Sequence, residues 1–218
     1  MRQIKLGEKW TWDDYGVMLA PNVSLGEAKP KTEYVDIPYG NGSIDLSEAL
    51  TNEISFEDRE FSFQLVFPPD VRNWHEIRKK IANDCNGRKM KIIFPTYPDY
   101  YILGRVTVGK IDEDNSVATL EISGKAEPYL YKHDLTKVEG VIPASGEIAL
   151  NLKNERLGAI PSFTINATSQ LIFEGSTLNH SAGTFSFANI YLKQGDNLLT
   201  IKATAGTTYL ITYQEGGL

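Results

Sequence analysis

The sequence predicts a mainly β protein in two parts: an α+β part with one helix packed on a β-sheet, then a β-sandwich. Three observations predict it. A single stretch carries a helical stripe, apolar and polar residues alternate through most other ordered-looking runs, and charge falls away after residue 139. Residues 1–139 hold 18 Lys or Arg and 23 Asp or Glu, against 4 and 5 in residues 140–218. A charge-dense surface thus gives way to one rich in Ser, Thr, Asn and Gly. This places one domain at 1-135 and a second at 140-218, with Gly140, Pro143 and Gly146 punctuating the segment from Lys132 to Ser145.

The helix is expected from Trp74 to Asn86. Trp74, Ile77, Ile81 and Cys85 follow one another at spacings of 3, 4 and 4, which lines them along one face. Asn73 with Glu76 has the form of a capping box, with Asn in the place usually held by Ser or Thr. Gly87 is placed to end the helix in the left-handed conformation. Arg78, Lys79 and Lys80 lie on the other face, with Arg88, Lys89 and Lys91 beyond. A basic run of this kind is usually a solvated face, and the sequence favours that over a contact for an acidic partner.

The remaining elements are strands. Phe61, Phe63, Leu65 and Phe67 alternate with Glu60, Ser62, Gln64 and Val66. Met90–Phe94 and Tyr101–Val108 flank the turn-forming Pro95-Thr96-Tyr97-Pro98-Asp99. Ala118, Leu120 and Ile122 follow Asp112-Glu113-Asp114-Asn115. In the second part, short alternating runs occur at Phe163/Ile165, Phe185/Phe187 and Ile190/Leu192. The last two, Leu199/Ile201/Ala203 and Tyr209/Ile211/Tyr213, are read as a hairpin about Ala205-Gly206. Short strands divided by Gly, Asn and Ser indicate a sandwich.

At 218 residues, 41% hydrophobic and 23% charged, the chain has the composition of a folded domain rather than a disordered one. Its net charge of −6 argues against a protein whose affinity is for phosphate backbones. The one cysteine, Cys85, excludes an intramolecular disulfide and a multi-cysteine metal site. No run approaches the roughly 18 apolar residues of a membrane span. The start, Met1-Arg2-Gln3-Ile4-Lys5, leads into Glu8, Trp10 and Asp13 with no signal-peptide core, so a cytoplasmic product is expected.

Catalytic patterns are absent. A nucleophile needs a base, and His75, His133 and His180 lie far apart in sequence. No Ser sits in a Gly-x-Ser-x-Gly elbow, and Cys85 lies within the helix as a small core residue. Gly40-Asn41-Gly42-Ser43 lacks the third glycine of a dinucleotide loop and the Lys of a P-loop, so it reads as a tight turn. A calcium loop starting at Asp112 would need Gly where Val117 stands and Glu where Ser123 stands. No catalytic, cofactor-binding or metal-ligating residue is therefore assigned, no cofactor is expected, and the chain is read as not an enzyme. Asn22-Val23-Ser24, Asn41-Gly42-Ser43, Asn166-Ala167-Thr168 and Asn179-His180-Ser181 match the glycosylation tripeptide, which carries little weight without an export signal.

One stretch is more specific. Tyr34-Val35-Asp36-Ile37-Pro38-Tyr39-Gly40-Asn41-Gly42-Ser43-Ile44-Asp45-Leu46 resembles the opening signature of the siphophage distal tail protein (Dit) family. Further matches come in order. Asp58-Arg59-Glu60-Phe61-Ser62-Phe63 is similar to the family's Arg-containing strand of aromatics. Trp74–Asn86 with Gly87-Arg88-Lys89 is similar to its helix and exit. Asp99-Tyr100-Tyr101-Ile102-Leu103-Gly104-Arg105-Val106 looks like its Tyr-Tyr…Gly-Arg-Val strand, and Ala118–Tyr131 fits the closing strand. Gly195-Asp196-Asn197-Leu198-Leu199-Thr200-Ile201 and Tyr209–Tyr213 look like the galectin-like sandwich that ends many such chains.

The resemblance implies a structural protein of a long-tailed bacteriophage or prophage, placed in the virion at the tail tip or baseplate after synthesis in the host cytoplasm. It implies a homohexameric ring formed by the N-terminal domains. The ring would join the tail tube protein to the tail-tip protein and carry a receptor-binding protein, without sequence-specific nucleic-acid binding or membrane insertion. A ring needs two complementary surfaces that close under rotation. The segment from Met1 to Pro30, with Trp10, Trp12 and Tyr15, is read either as an element reaching a neighbour or as a first strand packed into its own domain. The alternative function is a carbohydrate-binding module whose sandwich contacts the host cell wall. Tyr191, Tyr209 and Tyr213 are the tyrosines available there, and alternation puts Tyr209 and Tyr213 on the face of Ile211, which favours core packing.

Overall fold

The unit that ends at Leu130 is built on one antiparallel sheet. Its strands are β1 (Lys5–Leu6), β2 (Lys9–Trp10), β3 (Met18–Leu25), β4 (Tyr34–Asp36), β5 (Ser43–Asp45), β6 (Arg59–Val66), then helix α1 (Trp74–Cys85), β7 (Lys89–Ile93), β8 (Tyr100–Asp114) and β9 (Val117–Ala126). The computed structural model describes residues 2–49, 53–114 and 117–218. Sheet order is β2-β1-β7-β8-β9-β6-β3, and β4 with β5 forms a separate two-stranded ribbon. Alternation does the work on β6: Phe61, Phe63 and Leu65 are buried, while Glu60 and Gln64 face solvent. They share a core with Ile92, Ile102, Val106, Leu120 and Ile122 from the neighbouring strands.

Helix α1 covers that core with Ile81 and Cys85, and Trp74 and Ile77 pack beside them. Its start differs from expectation. Asn73 makes no side-chain cap bond, and the first turn closes through the backbone, with Glu76 and Ile77 both donating to the Asn73 carbonyl at 3.1 Å. Its end follows expectation, since Gly87 adopts φ +73° and Arg88 donates back to the Cys85 carbonyl at 3.1 Å. The exit is tied to β8. Gly87 N–H donates to Val106 O at 2.8 Å, and Asn86 Oδ1 accepts the Val108 N–H at 3.0 Å.

The described part of the N-terminal segment is packed into its own unit. β1 pairs with β7, and Ile4, Leu6, Tyr15, Val17 and Leu19 belong to the core. Asp84 on α1 holds this segment down, accepting from Lys9 Nζ at 2.7 Å and from Tyr15 Oη at 2.9 Å. Of the two readings of this segment, the structure has the packed first strand.

The acidic run is also more ordered than a turn. Asp112 and Glu113 continue β8 and pair with Thr119 and Ala118 on β9, and Asn115 lies outside the described residues.

The second unit runs from Tyr131 to Gly217. After β10 (Leu130–Lys132), its strands are β11 (Thr136–Val141), β12 (Glu147–Asn154), β13 (Ser162–Ile165), β14 (Ser169–Phe173), β15 (Ser176–His180), β16 (Gly183–Phe185), β17 (Gly195–Ala203), β18 (Thr208–Tyr213) and β19 (Gly216–Gly217). The segment read from sequence as a linker therefore contains strand β11, and Ile142 within it is buried. Two four-stranded sheets, β11-β18-β13-β16 and β12-β17-β14-β15, bury one core between them.

The hairpin expected of β17 and β18 is not formed. β17 pairs with β12 and β14, β18 with β11 and β13, so the chain crosses between the sheets at Ala205-Gly206. Both strands aim their apolar residues into the same core from opposite sides, and period-two alternation is identical for that arch and for a hairpin. Ile190 and Leu192 are likewise buried without a strand, joined to the rest by an isolated bridge from Leu192 to Ala159.

The chain is mainly β, and no described helix is long and apolar enough to cross a membrane.

Candidate functional site

The β4–β5 ribbon stands apart from both cores. Its strands pair Tyr34 with Asp45, Val35 with Ile44 and Asp36 with Ser43, and every residue of both strands is exposed. Tyr34, Val35, Ile37, Ile44 and Leu46 are all exposed apolar side chains, and Tyr39 at the tip is fully open at 110%. A run of apolar residues that no core covers is the mark of an interaction surface rather than of ordinary scatter.

The stem of this hairpin is fixed. Lys31 N–H donates to Ser55 O and Glu57 N–H to Lys29 O, each at 2.8 Å, and Pro30 bridges Phe56. Leu46 N–H donates to Glu33 O at 2.8 Å, and Ser47 Oγ accepts the Glu33 N–H at 2.9 Å. Asp45 accepts from the Ser47 hydroxyl and backbone N–H, and these bonds hold its carboxyl below the usual range.

The tip is shaped by three residues. Gly40 N–H donates to Ile37 O at 3.0 Å, and a Cβ on Gly40 would stand 2.6 Å from Ile37 Cγ2, so the side chain of Ile37 lies against bare backbone. Gly42 adopts φ +79°. Tyr39 adopts φ +60°, a conformation that costs a bulky residue about 1–3 kcal/mol.

The residues weighed for chemistry do not converge. Cys85 is buried and its thiol is pushed up by that burial, away from the reactive thiolate. His75 contacts Glu113 at 3.2 Å, His133 contacts Asp134 at 3.1 Å, and His180 stacks on Phe185 with ring centroids 3.6 Å apart. Among the described residues, no three His, Cys, Asp or Glu come together as metal ligands.

The basic run is drawn into intrachain contacts. Arg78 Nε donates to Gly109 O at 2.8 Å, Lys80 Nζ to Asp14 O at 3.1 Å, Lys89 pairs with Glu127, and Lys91 sits 4.4 Å over the Tyr101 ring. Tyr209 and Tyr213 belong to the sandwich core. Burial, with Glu215 nearby, pushes the Tyr213 phenol up to about 12. Arg59, in the aromatic strand, is buried, and its Nε has no partner among the described residues; that burial lowers its pKa.

The sequence offered a reaching element before Pro30 as one of two readings; the exposed apolar segment lies after it, at residues 34–46. Tyr34 and Val35 are adjacent and so stand on opposite faces, which leaves apolar side chains on both faces of the ribbon.

No protein-family model matches the sequence, and no curated protein matches it. Among solved structures, the chain is similar to the crystal structure of the SPP1 Dit (gp 19.1) protein, described as a paradigm of the hub adsorption apparatus in phages that infect Gram-positive hosts. The likeness covers 100% of this chain and 100% of that one, with a TM-score of 0.65 and 14% identity. From end to end, the fold of this chain is the fold of that Dit protein.

Proposed function

We propose that the chain is a structural, non-enzymatic component of a long-tailed phage or prophage tail tip, a distal tail protein acting as hub. In this reading six first units close into a ring, joined on one side to the tail tube protein and on the other to the tail-tip protein. The second units, as galectin-like sandwiches, carry or contact a receptor-binding protein. The uncovered apolar hairpin at residues 34–46 carries the reading. Its stem is fixed to its own unit, its tip is apolar and strained, and a heterologous contact of that kind closes into a ring when repeated by rotation. The full-length likeness to a protein described as a hub supports the choice of assembly.

The cell-wall sugar reading gains nothing from two of its three tyrosines, and the third, Tyr191, is half-buried. Stacking needs an exposed ring, and Tyr209 and Tyr213 are both buried. Electron microscopy of the purified full chain tests the proposal. Six-fold rings with a central opening are expected, and compact single particles at every concentration and with tail-tube protein added would overturn it.

A further inference from the structure

The chain contains two Asn-Gly steps, Asn41-Gly42 and Asn86-Gly87, and the fold treats them oppositely. At Asn86 both reacting groups are held. Its Oδ1 accepts the Val108 N–H at 3.0 Å, and the Gly87 N–H donates to Val106 O at 2.8 Å. At Asn41 neither is held. The residue is exposed in the tip of the hairpin, its carboxamide has no hydrogen-bond partner among the described residues, and the Gly42 N–H has no acceptor there. A Cβ on Gly42 would meet nothing within 4 Å, so solvent reaches the step freely.

The geometry points to Asn41 as a site of spontaneous modification, a deamidating turn on the exposed hairpin. The Gly42 backbone nitrogen loses its proton to base and attacks Asn41 Cγ. The C–N bond to the side-chain nitrogen breaks and ammonia leaves, closing a five-membered succinimide. Water then opens the ring at one carbonyl or the other, giving aspartate or isoaspartate. No oxidant or further reactant is needed. Either product sets a new carboxylate on the ribbon that already carries Asp36 and Asp45. The isoaspartate also adds a methylene to the backbone of the turn between Asp36 and its partner Ser43. The free chain therefore ages at the surface on which the proposed assembly depends, while Asn86 is preserved by the fold.

The test is peptide mass spectrometry of the folded full chain held at mildly alkaline pH, with a parallel sample in denaturant. Acid or isoacid at Asn41 is expected at least about tenfold faster than at Asn86, the difference that two hydrogen bonds to be broken impose on a rate. The two rates converge in denaturant, and Asn41→Gln removes the fast product. The Ile44→Ser chain, which removes an exposed apolar side chain of the same ribbon and adds no Asn-Gly step, is measured alongside. A slow Asn41 in the wild type that becomes fast in this variant means that a neighbour covers the turn, and supports both proposals. Equal rates at Asn41 and Asn86 in the folded wild type and in the variant would overturn this one and leave the ring untouched.

Discussion

The ring of Phe61 lies against the bare backbone of Gly124, its cross-strand partner on β9. A Cβ on Gly124 would stand 2.7 Å from Phe61 Cζ and 2.0 Å from the Arg105 carbonyl oxygen. Gly104 on β8 leaves the same ring a second opening, 2.8 Å from Cε1. One large ring thus fills space that two glycines vacate, which is why glycine is found inside these strands. Gly124→Ala is expected to cost the first unit about 1–3 kcal/mol through overpacking. Urea unfolding followed by near-ultraviolet circular dichroism measures it. Phe61→Leu on the Gly124→Ala background should recover part of the loss, whereas an unchanged midpoint in the single variant would contradict this packing.

Asn197 explains the Gly-Asp-Asn pattern that opens β17. Its Nδ2 donates to Leu152 O at 3.1 Å and Lys193 O at 2.9 Å, and its Oδ1 accepts the Lys193 N–H at 2.9 Å. Buried carbonyls left unpaired by Asn197→Ala would cost the second unit about 1–3 kcal/mol. Thermal unfolding of the variant checks this. The near-ultraviolet signal of the first unit's tryptophans, Trp10, Trp12 and Trp74, should keep its midpoint.

Asp84 makes the docking of the N-terminal segment sensitive to pH. Hydrogen bonds from Lys9, and then Tyr15, hold its carboxyl below the usual range, so the unfolded chain takes up the proton more readily. Its contribution is present above the unfolded value of about 3.9 and is lost as pH falls through the folded one. Lys9 is shifted upward by the same bond, so its share is present below the unfolded value of about 10.4 and is lost as pH rises through the folded one. Asp84→Asn is expected to lower stability at neutral pH by an amount small beside Gly124→Ala, because both partners are partly solvated. The gap to wild type should close in acid; a gap that persists there would show that the clamp is not electrostatic.

Much of this fold was legible. Helix α1 followed from four apolar residues on one face, and β6 from strict alternation. What failed, failed for physical reasons. β17 and β18 look like a hairpin because alternation reports which residues face a core, not which sheet a strand joins. Asn73 looked like a cap, yet backbone bonds alone close that turn. The hairpin was legible as a resemblance to a known signature before it was legible as a surface, because Tyr34, Ile37 and Ile44 carry the apolar character of core residues, and only the fold shows that no core receives them.

The most direct test of the central claim, that the hairpin joins one copy to the next, is the solution mass of the chain with and without its tip. Tyr39→Asn keeps the positive φ, which Asn tolerates, and removes the ring. Ile44→Ser removes an exposed apolar side chain from the same ribbon. Neither change touches a core, so the unfolding midpoint should not fall. If the tip anchors the contact, each anchor lost costs about 2 kcal/mol or more of association, roughly thirtyfold in affinity. Multi-angle light scattering should then give six times the 24.3 kDa of one chain for the wild type and a single chain for the double variant at the same concentration. A double variant that keeps the wild-type mass, or a wild type that stays at one chain throughout, would contradict the claim.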